Sequence, residues 1–171
     1  MEINIPDNII LVIGPNGSGK SLFAESLAVS CGTKRIYLAT MVSQNEENEK
    51  RIEKHRIQRC EKNFITIEKD WDVDQIDVDA DSVVLLEDVS NLLANGIFIH
   101  HKNSADAFHQ ILSLANRCQK LIAVNIKDLS PEGYDGETAA YINGINELND
   151  LLTSAAASVY HMKDGKPVSI K

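Results

Sequence analysis

The chain has few cysteines and no apolar run of membrane-spanning length. Its three cysteines, at positions 31, 60 and 118, are widely spaced and odd in number, so they provide neither a paired metal-binding motif nor a disulfide framework. This usage fits a protein of a reducing compartment. The apolar runs are too short to cross a bilayer, and the acidic N-terminal segment lacks the apolar stretch of a signal peptide. We therefore expect a cytoplasmic protein without a membrane span.

Basic residues are outnumbered by acidic ones. There are 17 Lys and Arg against 25 Asp and Glu, for a formal net charge of −8. Proteins that bind nucleic acid without regard to sequence need a basic surface, so this balance argues against such a partner. The chain also lacks internal repeats, low-complexity tracts and linkers. With 43% hydrophobic residues it can bury a substantial core, and we expect residues 1–171 to form a single domain that binds nucleotide.

A phosphate-binding loop pattern lies between an apolar run at 9–13 and a helical segment at 22–28. Its predicted nucleotide-binding residues are Gly14, Pro15, Asn16, Gly17, Ser18, Gly19, Lys20 and Ser21. The glycines let backbone N–H groups converge on phosphate oxygens at the start of a helix. Lys20 is predicted to contact the β- and γ-phosphates as a catalytic residue, and the Ser21 hydroxyl to ligate magnesium. Because the strand–loop–helix context is complete, the pattern favours a nucleoside-triphosphate-binding protein over an ordinary glycine-rich turn.

Apolar strands alternate with helical segments along the chain, which indicates an α/β fold. The sequence predicts strands at 9–13, 35–40, 64–68, 82–87 and 120–125, and helices at 45–62, 105–118 and 137–157. The acidic stretch at 70–81 is predicted to be a solvated loop or a short helix at the sheet edge. Residues 158–170, with a turn at Asp164 and Gly165, predict a terminal hairpin.

Two consecutive acids, Glu87 and Asp88, follow the apolar run at 83–86. Phosphate-loop enzymes commonly place an acid at such a strand end, where its carboxylate holds magnesium or one of its waters. We therefore predict Glu87 as a metal ligand together with Ser21, with Asp88 as the competing candidate. The alternative is that either acid caps a helix that begins near Ser90.

The predicted helix at 45–62 carries Arg51, His55 and Arg59 at a spacing that places them on one stripe. Two guanidiniums attract phosphate groups and disfavour the imidazolium form of the histidine between them. A neutral imidazole beside a nucleotide phosphate can act as a base or as a covalent nucleophile. From spacing alone, however, a solvated charged helix face is the commoner interpretation.

Taken together, these segments resemble the bifunctional adenosylcobinamide kinase/adenosylcobinamide-phosphate guanylyltransferase family of cobalamin biosynthesis. The resemblance runs from the phosphate loop and the Ser-Leu-Phe-Ala-Glu segment at 21–25 to the Val-Ser-Ile-Lys segment at 168–171. Between them, the similar positions are the strand at 36–40, the acidic patch at 45–47, Arg51, His55, Arg56, Arg59, Phe64, Thr66, Glu68, Glu87, Asn95 and Asn149. Many enzymes share the phosphate loop, whereas its combination with the arginine–histidine–arginine helix is specific.

The resemblance implies a three-layer α/β domain of the P-loop, RecA-like class, with a mostly parallel sheet and a C-terminal hairpin. It implies an enzyme that phosphorylates adenosylcobinamide, a corrinoid, and then transfers GMP from GTP to the new phosphate. The family histidine that is similar to His55 is the nucleophile that carries GMP as a phosphoramidate. Mg²⁺ as cofactor, GTP and ATP as substrates, and a homotrimer are also implied. The implied nucleotide-binding residues outside the loop are Arg51, Arg56, Arg59, Glu68 and Glu87.

The chain departs from the family at the turn after the strand at 120–125. The family's asparagine–glutamate–valine–glycine sequence is here Asn125, Ile126, Lys127 and Asp128. A glutamate at this edge could orient a substrate hydroxyl and isoleucine cannot, so we expect weak cobinamide phosphorylation beside robust triphosphate binding. Two alternatives stay open: a divergent P-loop phosphotransferase for another small molecule, and a nucleotide-binding regulatory protein without transferase activity.

Overall fold

The structure, a computed structural model, describes residues 4–41 and 46–171, and at 46–48, 51, 55 and 58 it describes the backbone alone. Within these residues, one sheet contains the strands β1 (Ile9–Gly14), β2 (Arg35–Ala39), β3 (Phe64–Glu68), β4 (Val83–Glu87), β5 (Lys120–Ile126), β6 (Ser158–Lys163) and β7 (Lys166–Ser169). The helices are α1 (Lys20–Cys31), α2 (Glu46–Cys60), α3 (Val89–Phe98), α4 (Ser104–Ala115) and α5 (Gly136–Ala155), with a short 3₁₀ helix at Val73–Gln75. None of the described helices has both the length and the apolar character that a membrane crossing needs.

The sheet has the strand order β3-β2-β4-β5-β1-β6-β7. Neighbouring strands from β3 to β6 are parallel, and β7 runs antiparallel to β6 as the second strand of a hairpin. The register places Ala39 opposite Glu87 and Gly14 opposite Ile126. Since parallel strands end at the same edge of a sheet, these four strand ends lie side by side. The predicted mostly parallel sheet with a C-terminal hairpin is confirmed.

Helices cover both faces of the sheet, which gives the predicted three layers. On one face α3, α4 and α5 enclose a large apolar core that includes Leu11, Leu38 and Leu86. On the other face α1 packs on a smaller core that includes Val12 and Leu85. Successive residues of a strand point to opposite faces, and both faces are covered here. For this reason the central strands are apolar throughout rather than alternating, as buried parallel strands are.

The acidic segment between β3 and β4 carries apolar side chains into the larger core. It contains the predicted short helix, but Trp71, Val73 and Ile76 are buried rather than solvated. The Trp71 ring fills the space that Gly96 leaves on α3, where an added Cβ would lie 2.5 Å from a ring carbon. Despite its aspartates, this segment is therefore a packed element, and the contact of Trp71 with Gly96 joins it to α3.

Candidate nucleotide-binding site

The phosphate loop connects the carboxyl end of β1 to the first residue of α1. Gly17 and Gly19 have φ angles of 74° and 88°, in the left-handed region that favours glycine. An added Cβ at Gly14 would lie 2.8 Å from Ser18 Oγ and 3.1 Å from Met162 Cβ, so this strand end needs glycine to pack against β6. The Ser18 hydroxyl is buried and has no hydrogen-bond partner within the described residues. The loop thus has the curled backbone that a triphosphate requires, at the N-terminus of a helix.

The Lys20 ammonium group lies over its own loop. It donates a 2.9 Å hydrogen bond to the carbonyl oxygen of Pro15. Burial lowers the pKa of Lys20 from its usual range, while the negative charges of Asp88 and Glu87 oppose this shift. Lys20 is therefore a partly desolvated cation with acids nearby. Such a cation interacts with a phosphate oxygen more strongly than an exposed lysine does, because the local dielectric is lower.

Tyr37 on β2 contacts two other residues of the site, Glu87 at the end of β4 and Arg59 in the last turn of α2. The Tyr37 hydroxyl donates a hydrogen bond to Glu87 Oε2, and the guanidinium carbon of Arg59 lies 3.4 Å from the centroid of the Tyr37 ring. Burial raises the pKa of Tyr37 and the Glu87 charge adds to the rise, so the hydroxyl keeps its proton and remains a donor. The second carboxylate oxygen, Glu87 Oε1, is buried and finds no partner among the described residues.

Asp88 has a different role from its neighbour Glu87, because it caps α3. One of its carboxylate oxygens accepts hydrogen bonds from the backbone N–H of Asn91 at 2.7 Å and from Ser90 Oγ at 2.8 Å. Thr40 binds the Asp88 backbone on both sides, donating to its carbonyl oxygen at 2.8 Å and accepting from its N–H at 3.0 Å. Asp88 is therefore the acid that caps a helix, while Glu87 has a carboxylate oxygen, Oε1, without a partner among the described residues.

These side chains surround one cleft of about 390 Å³ at the carboxyl edge of the sheet. Among the residues predicted from the sequence, those that line the cleft are Asn16, Gly17, Lys20, Ser21, Arg59, Glu87 and the competing metal candidate Asp88. The volume suits a small-molecule ligand. Its position also follows the rule that ligands of parallel α/β sheets bind outside the carboxyl ends of the strands.

Comparison with known proteins assigns this site to a family. Residues 10–170 match the model of the family described as cobinamide kinase / cobinamide phosphate guanyltransferase. The chain belongs to this family. The family comprises phosphotransferases and nucleotidyltransferases that act on cobinamide, so the predicted function and enzyme class are confirmed at the level of the family. A comparison with curated protein sequences gave no significant match.

A solved structure similar to this cobinamide kinase family member is an ATPase domain of another protein. The two share a TM-score of 0.52 over 90% of this chain and 68% of that chain, at 12% sequence identity. An identity this low shows the fold alone. The likeness confirms the predicted P-loop, RecA-like architecture.

Two residues that the cobinamide kinase resemblance places at the nucleotide contact each other outside the cleft lining. Arg56 Nη2 lies 2.5 Å from Glu68 Oε1, and Arg56 Nη1 lies 3.6 Å from Glu53 Oε2. Their side chains are 41% and 54% exposed, so the pair is accessible from solvent and only weakly held. Nucleotide binding by Arg56 and Glu68 stays a prediction. A phosphate that binds Arg56 would have to compete with the carboxylates of Glu53 and Glu68.

The other two predicted residues of the histidine helix lie on α2, which the structure describes from Glu46 to Cys60. The side chains of Arg51 and His55 are outside the described part of the chain. His55 precedes Arg59 by four residues, about one helical turn. Arg59 is 3% exposed and lies in the cleft, so the last turn of α2 is anchored at the site.

Sequence reasoning missed Tyr37, which contacts two predicted site residues. It lies in the middle of β2, between the buried aliphatic residues Ile36 and Leu38. A buried tyrosine hydroxyl needs a hydrogen-bond partner, and a polar ligand site commonly supplies one. That single polar group within an apolar run was the available signal. The acceptor could not have been named without the strand order.

Proposed function

We propose that the chain is an adenosylcobinamide kinase and adenosylcobinamide-phosphate guanylyltransferase that performs both reactions in the cleft beside the phosphate loop. The supporting observation is the convergence of Lys20, Arg59 and Glu87 on one cleft in a member of the cobinamide kinase family. A bound triphosphate needs cations that contact its phosphate oxygens and a carboxylate that holds its metal ion. The proposal includes GTP and ATP as substrates, a cytoplasmic location and a homotrimer.

In the first reaction, a hydroxyl oxygen on the aminopropanol arm of adenosylcobinamide attacks the γ-phosphorus of the triphosphate. The new P–O bond forms while the bond to the β–γ bridging oxygen breaks, the nucleoside diphosphate leaves, and the hydroxyl proton passes to solvent. Lys20 and the N–H groups of the loop at 14–21 stabilise the charge on the transferring phosphoryl oxygens. This role follows from the position of Lys20 over the loop.

The residues present fit Mg²⁺, which such reactions use. Glu87 offers the buried, unpartnered oxygen Oε1, and Ser21 offers a hydroxyl on the first turn of α1. Within the described residues no group of three or more His, Cys, Asp or Glu side chains could hold a metal ion. This sparse oxygen set suits Mg²⁺, which keeps several waters and binds through one or two protein ligands and the substrate phosphates. When bound, the ion neutralises negative charge on the β- and γ-phosphate oxygens.

In the second reaction, His55 attacks the α-phosphorus of GTP. A P–N bond forms as pyrophosphate leaves, and the phosphate of adenosylcobinamide phosphate then displaces the histidine to give adenosylcobinamide-GDP. Arg59, buried at the cleft, and Arg51 hold phosphate oxygens during both steps. The support for His55 is its place on the helix that Arg59 anchors, together with the family.

A second candidate is a divergent phosphotransferase of this family with another small-molecule acceptor. The observation that favours it is Ile126, the last residue of β5, which packs against the larger core instead of offering a polar group. Asp128, two positions later, has a φ of 69°, which the family's glycine would adopt without strain. In this candidate the nucleotide site is unchanged and only the acceptor differs.

The test is covalent labelling by GTP. Wild-type protein, the His55→Ala variant and a matched His109→Ala variant, altered at an exposed histidine of α4, are incubated with GTP and analysed by mass spectrometry. We expect an acid-labile GMP adduct on the wild type and on His109→Ala, and none on His55→Ala. An adduct on another residue, or none on the wild type, contradicts the guanylyltransferase assignment. Parallel incubation with ATP and adenosylcobinamide separates the two candidates, because only the first yields phosphorylated cobinamide.

A further inference from the structure

We propose that Tyr37 is a positioning residue with two separable roles, its hydroxyl holding Glu87 for the metal ion and its ring holding Arg59 for the nucleotide phosphates. The inference rests on the proposed function of the cleft and adds to it a residue of the cleft lining that acts through Glu87 and Arg59. It also predicts that the histidine helix α2 and the acid at the end of β4 are held by one side chain.

The hydroxyl contact determines which oxygen of Glu87 remains available. Tyr37 lies on β2 opposite Leu85 of β4, two residues before Glu87, and its long side chain reaches the strand end. By donating to Oε2, it fixes the carboxylate and leaves the buried Oε1 without a partner among the described residues. A carboxylate fixed in this way does not have to be ordered when a metal ion binds, so the loss of rotamer entropy on binding is smaller.

The ring contact explains how the buried guanidinium of Arg59 is held at the cleft. Arg59 is 3% exposed, its Nε has no partner within the described residues, and its guanidinium carbon lies 3.4 Å from the Tyr37 ring centroid. A cation over an aromatic face is attracted by the ring electrons, and this attraction strengthens when water is excluded. The ring thus supports the cation without neutralising its charge, so the guanidinium of this cleft-lining residue stays able to attract phosphate oxygens.

The two contacts use different parts of the side chain, so two substitutions separate them. Tyr37→Phe keeps the ring and removes the hydroxyl, whereas Tyr37→Leu removes both. A structural tyrosine would show no such separation, because both variants would lower only the stability of the fold. Tyr160→Phe is the matched control, since Tyr160 is a partly buried tyrosine of β6 whose ring contacts Phe23 of α1.

The experiment measures binding of a fluorescent GTP analogue, first in EDTA and then with increasing Mg²⁺. For Tyr37→Phe we expect unchanged affinity in EDTA and an approximately tenfold higher Mg²⁺ concentration at the midpoint, the effect of losing a hydrogen bond to a charged group. For Tyr37→Leu we expect the same Mg²⁺ shift and also an affinity about tenfold weaker in EDTA. Tyr160→Phe should match the wild type, and circular dichroism should show every variant folded.

A double-mutant cycle tests whether the hydroxyl acts through Glu87. In a Glu87→Gln background, Tyr37→Phe should not shift the Mg²⁺ midpoint further, because the carboxylate it positions is gone. A wild-type Mg²⁺ midpoint in Tyr37→Phe, equal effects of the Phe and Leu variants in EDTA, or an additive double mutant would each overturn the inference. A protein that binds nucleotide with this pattern but forms no guanylyl adduct and no phosphorylated cobinamide would instead refute the proposed function and leave the role of Tyr37 intact.

Discussion

The carboxylate of Asp88 accepts a 2.7 Å hydrogen bond from the backbone N–H of Asn91, the first-turn donor of α3. The adjacent acid, Glu87, makes its contact across the sheet with Tyr37 instead. Both acids line the cleft, but their carboxylates differ in what they do: that of Asp88 completes a helix end, and that of Glu87 presents a buried oxygen without a partner among the described residues. Their substitutions should differ accordingly.

We predict that Glu87→Gln impairs metal use while Asp88→Asn impairs little. The Gln side chain is a weaker metal ligand, so the Mg²⁺ concentration for half-maximal phosphoryl transfer should rise about 10- to 100-fold. Asn remains a good capping residue, whereas Asp88→Ala should lower the free energy of unfolding by about 1 kcal/mol. Mg²⁺ titrations of activity and urea unfolding of the three variants check this. Equal Mg²⁺ midpoints for Glu87→Gln and Asp88→Asn would contradict the division of roles.

Lys20→Ala should remove nearly all phosphoryl and nucleotidyl transfer while the fold persists. A charge aimed at phosphate in a water-poor site contributes about 2 to 4 kcal/mol to the transition state, which corresponds to a loss of about 30- to 1,000-fold in kcat. The matched control is Lys102→Ala, at an exposed lysine before α4. Single-turnover rates and thermal unfolding curves are the measurements. Near-normal turnover of Lys20→Ala would show that this loop is not catalytic.

The turn after β5 should limit the kinase reaction. We expect weak cobinamide phosphorylation by the unmodified chain beside strong triphosphate binding, and higher kinase turnover when Ile126→Glu and Asp128→Gly are combined. Because Ile126 is partly buried against the core, the glutamate should also lower the free energy of unfolding by about 1 to 2 kcal/mol. Rates must therefore be measured well below the unfolding temperature.

Asp128→Gly alone is the control for this turn, since glycine suits the φ of 69° and the carboxylate it removes is more than half exposed, with a 3.5 Å contact to His161 Nε2. It should leave stability and triphosphate binding nearly unchanged. If the unmodified chain already phosphorylates cobinamide efficiently and the double variant is no faster, the turn does not determine kinase activity.

The thiols should react in the order of their exposure. Burial raises the pKa of Cys118 to about 11, so at pH 8 almost none of it is thiolate, the reactive form. Cys60 is exposed at the end of α2. Iodoacetamide at pH 8 should therefore label Cys60 in the folded protein and Cys118 only after unfolding in urea, as peptide mass mapping would show. Rapid labelling of Cys118 in the folded chain would mean that its region opens readily.

The elements that are easiest to predict are those whose signal is local. The phosphate loop is read from consecutive residues, and β4 and β5 from apolar runs that both faces of the sheet cover. The sequence pattern predicts the end of α4 at Cys118 although the helix ends at Ala115, because the apolar pattern continues into the turn. The Asp-rich segment predicts a solvated loop or short helix, but Trp71 within it is buried. That burial depends on Gly96, a residue without a side chain on a helix 25 positions later in the chain.

The site is predictable only as far as its residues are close in sequence. Lys20 and Ser21 follow from the loop, and Glu87 from the strand end. The contact between Tyr37 and Glu87 joins residues 50 positions apart and exists because β2 and β4 are neighbours in the sheet. The spacing of residues along the chain does not show which strands are adjacent in the sheet. Arg59 is predicted on a helix stripe, but its burial against Tyr37 depends on the same strand order.

The parallel pairing of β1 has a consequence for how the protein is made. In the sheet, β1 lies between β5 and β6, which begin only at residues 120 and 158. A ribosome therefore releases the nucleotide loop long before the strands that flank it exist, and these contacts of high sequence separation close late. Until then the apolar strand at 9–13 stands exposed, which makes the nascent chain prone to aggregation. The first part of the site to be synthesised should thus be among the last to become ordered.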